Sequence, residues 1–470
     1  MGGFTAWQWL LLVEHELLLF AGIFFLIGAI DEFAVDLCWI WLRLTGRTTT
    51  ARADLPAPDQ RELLGPAAVF IPAWQEAEVI GATVRHALSA WPEAALRIYV
   101  GCYRNDPDTM AAVARAACGD RRLRLVVHDR AGPSTKADCL NRLYAALEQD
   151  ERRRGTPARM VVLHDAEDMV DPAALSLLDR AIGDADLVQL PVRPEPQTSS
   201  RWIAGHYCEE FAEAHSKAMV VRQALGAGLP SAGVGCAISR PVLTRLAQER
   251  GSADPFAPDC LTEDYELGLG MGDMGLKTRF LRMRAEDGRL VATRACFPAQ
   301  LDQAVRQKTR WIHGIALQGW DRLGWSTGSV RRTAVEFWMR LRDRRGPLTA
   351  LVLSVGYLLL ALAALIAVRG PDNALLGLML EPWVILLLWL NAASFVWRAG
   401  LRFAFTGREY GWREGLRAVL RIPLANIIAI MAGRRALFAY IRTLAGQSIR
   451  WDKTAHHAHP ASFPLQREPA

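Results

Sequence analysis

Two kinds of hydrophobic pattern divide this chain of 470 residues. The first is the long uncharged run. Leu348 to Val368, "LTALVLSVGYLLLALAALIAV", holds 21 residues without a charge, enough for a helix to cross a hydrocarbon core. A second run extends from about Leu380 to Trp397, with Trp383 and Trp397 suited to membrane interfaces. Near the N-terminus, "LLLFAGIFFLIGAIDEFAVDLCWIWL" (17–42) is strongly apolar but carries Asp31, Glu32 and Asp36, with Glu14 and Glu16 just before it. Acids at that depth face other helices or lie at the membrane surface. No basic stretch precedes the run and no small-residue cleavage site follows it, so it reads as a retained signal anchor.

The second pattern fills the region from about Leu64 to Leu281, where short apolar runs alternate with stretches of helical spacing. Expected strands are "AAVFIPA" (67–73), "LRIYVGC" (96–102), "LRLVVH" (123–128), "RMVVLH" (159–164) and "DLVQLPV" (186–192). This alternation predicts an α/β layer with a mostly parallel sheet. Ligands of such sheets bind outside the carboxyl ends of the strands. Polar clusters follow several of those ends: Gln75-Glu76, Asn105-Asp106 and Asp165-Ala166-Glu167-Asp168.

Charge orients the apolar runs. Arg43, Arg47 and Arg52 follow the first, Arg340 to Arg345 precede the second, and six arginines from Arg398 to Arg421 follow the third. Positive charge on the inner side then places 43–347 and the basic tail in the cytoplasm, with the N-terminus outside. "IPLANIIAIMAG" (422–433) is short for a span and basic at both ends, so it reads as an interfacial or re-entrant helix. The predicted organisation is an anchor over 1–45, a cytoplasmic α/β domain over 60–300, interface helices over 301–347, two membrane helices over 348–397, and a basic loop, interfacial helix and tail over 398–470. A hydrophobic content of 51% beside 22% charged residues fits that segregation. The eight cysteines form no CxxC pair, which argues against a disulfide framework or thiolate zinc site and for a reducing compartment. The net charge of +6 is explained by membrane topology, so no nucleic-acid partner is expected.

The chemistry centres on "VVLHDAEDMVDP" (161–172). Asp165, Glu167 and Asp168 crowd the end of an apolar strand, and a divalent cation is the usual compensation for such crowding. Equally, Asp171 reads as a helix cap with Pro172 at the first position, leaving the acids as a solvated loop. Convergence of three polar clusters on one rim favours a site. "GPSTKADCLN" (132–141) sets Lys136 at a helix start, where a cation and free N–H groups hold a diphosphate; the plain reading is a Ser/Thr cap. "SAGVGCAISR" (231–240) is a glycine-spaced loop for close backbone approach, or a simple turn. "LTEDYELG" (261–268) puts Glu263 and Asp264 in a first helical turn behind Thr262. "RQKTRWIHG" (306–314) supplies Gln307, Arg310 and Trp311, on what is equally an amphipathic surface helix.

Taken in order, "PAWQE", the lysine motif, "DAE", "TED" and "QxxRW" resemble processive-type family 2 glycosyltransferases with a GT-A fold. "IDEFAVDLCWIW", "VGCYRNDPDT", "RQKTRWIHGIALQGW" and "WDKTAHHAHP" further resemble the bacteriophage adsorption protein B group of bacterial inner-membrane proteins. The resemblance implies a UDP-sugar donor, with an N-acetylhexosamine as the transferred sugar, and a glycan acceptor at the lipid bilayer. It implies Mg2+ or Mn2+ on Asp165 and Glu167, supported by Asp168. Lys136 and Arg310 would assist the diphosphate, Glu76 and Asp106 would contact the nucleoside and Trp311 would stack on a sugar, with Pro72, Asn105 and Gln307 also among the nucleotide-sugar-binding residues. Asp264, beside Glu263, would act as the base of an inverting transfer. An outer-membrane or export partner is part of the same expectation.

The chain departs from that pattern in reading Asp-Ala-Glu where two aspartates are usual, and in Arg104 where close relatives carry proline. Relatives often continue into a cytoplasmic domain that senses cyclic di-GMP; this chain stops at Ala470, and that control is not expected here. His456, His457 and His459 lack nearby ligands for a metal site. A catalytically vestigial scaffold is the alternative, and three spans without an inverted repeat argue against a transporter.

Overall fold

The computed structural model describes residues 4–48, 50–54, 62–326, 330–370, 381–447 and 458–462. The chain enters through helix α1 (Ala6–Leu44) and strand β1 (Ala51–Arg52). It then builds β2 (Ala67–Pro72), α2 (Ile80–Ala90), β3 (Leu96–Tyr103), α3 (Pro107–Ala117), β4 (Leu123–His128), α4 (Lys136–Arg154), β5 (Met160–Leu163), α5 (Ala174–Ala181), β6 (Leu187–Gln189) and β7 (Val192–Pro194). Next come α6 (Gly205–Glu213), a π-helical turn over Ala214–Ala218, α7 (Met219–Ala224), β8 (Cys236–Ser239), α8 (Arg240–Glu249), α9 (Glu263–Asp273), β9 (Thr278–Phe280), β10 (Met283–Arg284) and β11 (Thr293–Ala295). The rest is helical: α10 (Leu301–Trp311), α11 (Gly319–Leu323), α12 (Val330–Arg344), α13 (Gly346–Arg369), α14 (Pro382–Tyr410), α15 (Trp412–Leu420) and α16 (Ile422–Leu444).

The main sheet has strand order β4-β3-β2-β5-β8-β6-β9. Its pairings are parallel except those of β8, which runs antiparallel to both β5 and β6. Because both faces are covered, the central strands are continuous apolar runs rather than alternating ones. Along β2, Val69 and Ile71 point into a core with α2, α3 and α5. Ala68 and Phe70 point the other way, into a core with α4, α8 and α9. The parallel register aligns the ends of β2, β3 and β5 on one rim, as the α/β rule requires.

The run expected as one strand over 186–192 is two. β6 stays in the main sheet, whereas β7 leaves it to pair with β11. Pro191 stands at the break, lacking the N–H a continuing ladder needs. Asp171 does not cap a helix starting at Pro172. It accepts the Ala173 N–H at 2.8 Å and ion-pairs with Arg289, and α5 begins only at Ala174.

Among the described residues, four helices are long and apolar enough to cross a membrane: α1, α13, α14 and α16. The segment expected to end near Gly433 continues to Leu444, because Arg434 and Arg435 are good helix formers and do not break it. Asp31, Glu32 and Asp36 of α1 face inward. Lys217 in the π-helical turn lies 2.6 Å from both Asp36 and Glu213, and Arg342 lies 2.8 Å from Glu32. Trp397, rather than lying free in an interfacial belt, donates its indole N–H to Asp36 at 2.9 Å. This ionic cluster ties α1 to the α/β layer. His456 and His457 lie outside the described residues, while His459 is buried with its Nε2 3.3 Å from the Asp168 carbonyl.

Candidate active site

A cavity of about 680 Å³ opens on the rim. Pro72 and Glu76 line it after β2, Lys136 at the start of α4, and Asp165 and Glu167 after β5. Glu263 and Asp264 enter from the first turn of α9, Arg310 and Trp311 from the last turn of α10. Segments as far apart in sequence as Pro72 and Asp343 thus reach one space.

Each element delivers its side chain for a local reason. Thr135 caps α4 by accepting the Asp138 N–H at 3.2 Å, which makes Lys136 the first helical residue and turns it across the rim. Its Nζ lies 2.6 Å from Asp165 Oδ1, 3.9 Å from Glu263 Oε1 and 3.4 Å from the Gly233 carbonyl. Burial opposes the ammonium charge, but Asp165, Glu263 and Asp264 around it prevail and raise its pKa. The acids respond to the same enclosure. Burial, helped by Asp264 and opposed by Lys136, pushes Glu263 up to about 7. Burial also raises Asp264, against the pull of Lys136 and Arg310.

Thr262 precedes α9 but makes no capping hydrogen bond; Asp264 Oδ1 instead accepts the Tyr265 N–H at 2.7 Å. The glycine-spaced loop packs directly on this acid. Gly233 has φ +71°, and a Cβ there would sit 2.7 Å from Asp264 Oδ2, so both conformation and space require glycine.

Asp168 lines the cavity while buried; it accepts the Asp165 N–H at 2.9 Å and lies 3.0 Å from His164 Nδ1, so it supports the turn that presents Asp165. Other expected site residues lie elsewhere. Asn105 and Asp106, expected to bind the nucleotide-sugar, do not line the cavity. Asp106 caps α3 and accepts the Gln75 N–H at 2.6 Å, holding Gln75 at φ 54°, a conformation rare outside glycine. Asn105 clasps Gly132 through two hydrogen bonds, of 2.8 and 2.7 Å. A short polar side chain at a strand end serves the backbone of the neighbouring loop before any ligand. Gln307 is buried one turn before Trp311 and does not line the cavity; its Oε1 makes no hydrogen bond among the described residues.

Other lining residues gave no signal. Trp74 and Tyr103 form an edge-on pair with ring centroids 5.1 Å apart beside the ends of β2 and β3. Glu210, Phe211 and Phe297 close the far side. Trp74 lies within "PAWQE", but α6 reads as an ordinary amphipathic helix.

Comparison with known proteins agrees with this geometry. Residues 65–314 match the model of the family described as glycosyltransferase like family 2. Bacteriophage adsorption protein B of Escherichia coli (strain K12) is 33% identical over 455 residues, covering 92% of this chain and 60% of that protein. Bacteriophage N4 adsorption protein B of Escherichia coli O157:H7 matches at the same identity and coverage. The chain thus spans about 60% of the length of these curated relatives. Among solved structures, the mannosyltransferase PcManGT from Pyrobaculum calidifontis, in complex with GDP-Man and Mn2+, has a TM-score of 0.51 at 16% identity, covering 90% of this chain and 99% of that one. That likeness is one of fold. With a GT-A-type α/β layer, long apolar helices and a family match over its catalytic layer, the chain belongs to glycosyltransferase family 2.

Proposed function

We propose that the protein is a membrane-bound, inverting, metal-dependent glycosyltransferase of the inner membrane, with its catalytic layer in the cytoplasm. It moves a sugar, an N-acetylhexosamine, from a UDP-sugar to a growing glycan. The observation that carries this is the single cavity in which Lys136, Asp165, Glu263, Asp264 and Arg310 meet.

Asp165 and Glu167 fit a divalent cation. Both are hard oxygen donors lining the cavity, and a Mg2+ or Mn2+ site needs only one or two carboxylates beside substrate phosphates. Glu263 and Asp264 line the same cavity, adding carboxylates near the place a cation would occupy. When bound, such an ion neutralises charge on a departing diphosphate. PcManGT, with GDP-Man and Mn2+ in its complex, is a family-level parallel.

This chain's own residues carry the remaining steps. Lys136 and Arg310 face the diphosphate with charge. Asp264 takes the proton of the acceptor hydroxyl as its oxygen bonds to the anomeric carbon. The bond from that carbon to the diphosphate oxygen breaks on the opposite face, and UDP leaves with the electron pair. An acid whose pKa is raised by burial suits this task near neutral pH. Trp74 and Tyr103 flank the nucleoside end.

Incubating membranes and purified protein with a panel of radiolabelled UDP-sugars, with and without Mn2+, tests the proposal. Metal-dependent transfer from one of them is the expected result. Neither transfer nor release of free sugar from any of them would leave the scaffold alternative.

A further inference from the structure

Away from β2 and β3, helices join the ends of β6, β7 and β11 in the cavity wall. Glu210 and Phe211 project from α6, Arg310 and Trp311 from α10, and Phe297 from the segment before α10. The aromatic rings form one cluster, with centroids 5.1 Å apart for Phe211 and Phe297, 6.2 Å for Phe211 and Trp311, and 6.4 Å for Phe297 and Trp311.

Glu210 is the acidic member of this wall and plays no part in the chemistry described above. Its side chain is 41% exposed and borders the cavity, while its ion-pair partner Lys308 is 14% exposed behind it. The Lys308 ammonium also lies 5.3 Å from the Tyr207 ring centroid and 5.9 Å from that of Trp311. The cation is therefore fixed by a carboxylate and two aromatic faces. A strut between helices has no need to turn its carboxylate into a cavity; a carboxylate presented beside aromatic rings is an acceptor for hydroxyl groups. Burial opposes the Glu210 charge, but Lys308 and His206 hold its pKa below the usual value, so it remains ionised at neutral pH.

Position decides which substrate it meets. In the sheet, β3 and β2 lie on one side of β5, and β6, which leads into β7 and α6, lies on the other. With the nucleoside beside Trp74 and Tyr103 and the diphosphate beside Lys136 and Asp165, the space next to Glu210 falls beyond the reacting centre. We propose that Glu210, fixed by Lys308, binds hydroxyl groups of a neutral acceptor saccharide whose C–H face lies on Phe211 and Trp311, and thereby selects the acceptor. This rests on the transferase reading. An acceptor carrying a carboxylate or phosphate at that position is repelled.

The test uses membranes containing the full chain and the UDP-sugar found productive in the panel. Label partitions between glycan and free sugar, the second product requiring donor chemistry but no acceptor. Glu210→Gln is expected to lower the ratio of glycan to free sugar roughly tenfold. The double exchange Glu210→Lys with Lys308→Glu keeps an ion pair but presents a cation to the cavity, and is expected to show a similar fall. A wild-type ratio in Glu210→Gln, restoration of the ratio by the exchange, or equal loss of both products in the variants would each overturn the proposal in favour of a purely structural pair. Wild-type membranes releasing neither product from any UDP-sugar would instead remove the transferase reading, and this proposal with it.

Discussion

The Lys136 ammonium lies 2.6 Å from the Asp165 carboxylate, joining the first turn of α4 to the end of β5 across the rim of the sheet. That pair marks where opposite charges gather at the centre of the cavity, and the variants below separate their roles.

Asp165→Asn keeps the volume but removes a proposed metal ligand and leaves Lys136 without its nearest counter-charge. The Mn2+ concentration giving half-maximal transfer is expected to rise by roughly tenfold or more, since changes even to groups supporting metal ligands cost about 10- to 100-fold. A metal titration of activity measures it; an unchanged midpoint would remove Asp165 from the metal site.

Asp264→Asn removes the proposed base. Transfer is expected to fall by about 10²- to 10⁴-fold, while calorimetry still detects UDP binding. Retained turnover would refute the assignment.

Gly233→Ala tests the packing of the glycine loop on Asp264. The φ of +71° and the 2.7 Å approach to Asp264 Oδ2 mean the loop or the acid must move. Activity should fall, with a stability cost of about 1–3 kcal/mol for the strained backbone, read by thermal unfolding. Wild-type activity would show that Asp264 tolerates displacement.

Acid destabilises the catalytic layer through buried histidine. Burial, seconded by Arg282, holds His215 down to about 4, and its Nδ1 lies 3.0 Å from the Val192 N–H. The unfolded chain takes a proton near pH 6.5 whereas the folded one does not until about 4, so stability is full above 6.5 and is lost as pH falls through that window. The loss is at most about 3 kcal/mol from this group. Denaturant unfolding at pH 7 and pH 5 should show the decline, and His215→Asn, though weaker at pH 7, should show a shallower one. Equal slopes would exclude His215 as the source.

Lys217→Met breaks the ionic cluster that ties α1 to the catalytic layer. Lys217 is 2% exposed, 2.6 Å from both Asp36 and Glu213, and stranding those acids should cost about 3–5 kcal/mol. A thermal shift assay in detergent checks this; a shift within error would show the acids fully compensated by Arg398.

The sequence by itself determined the layers. Fully buried parallel strands are written as unbroken apolar runs, so β2, β3 and β4 begin as read from the pattern, and long, strongly apolar runs identify α1, α13 and α14. It also named the residues of the cavity centre, because carboxylates and a lysine at successive strand and helix ends have one common destination in an α/β sheet. Tertiary structure decided the rest. Asp106 looks like a site residue in the sequence, yet it meets a backbone N–H outside the cavity once β2 and β3 lie side by side, whereas Asp168 lines the cavity and holds the turn after β5. Glu210 and Phe297 face Trp311 because β7 leaves the sheet at Pro191 and α6 packs back beside α10, a path no local pattern records. Periodicity encodes whether a side chain is buried; which partners share its space depends on contacts between segments far apart in the chain.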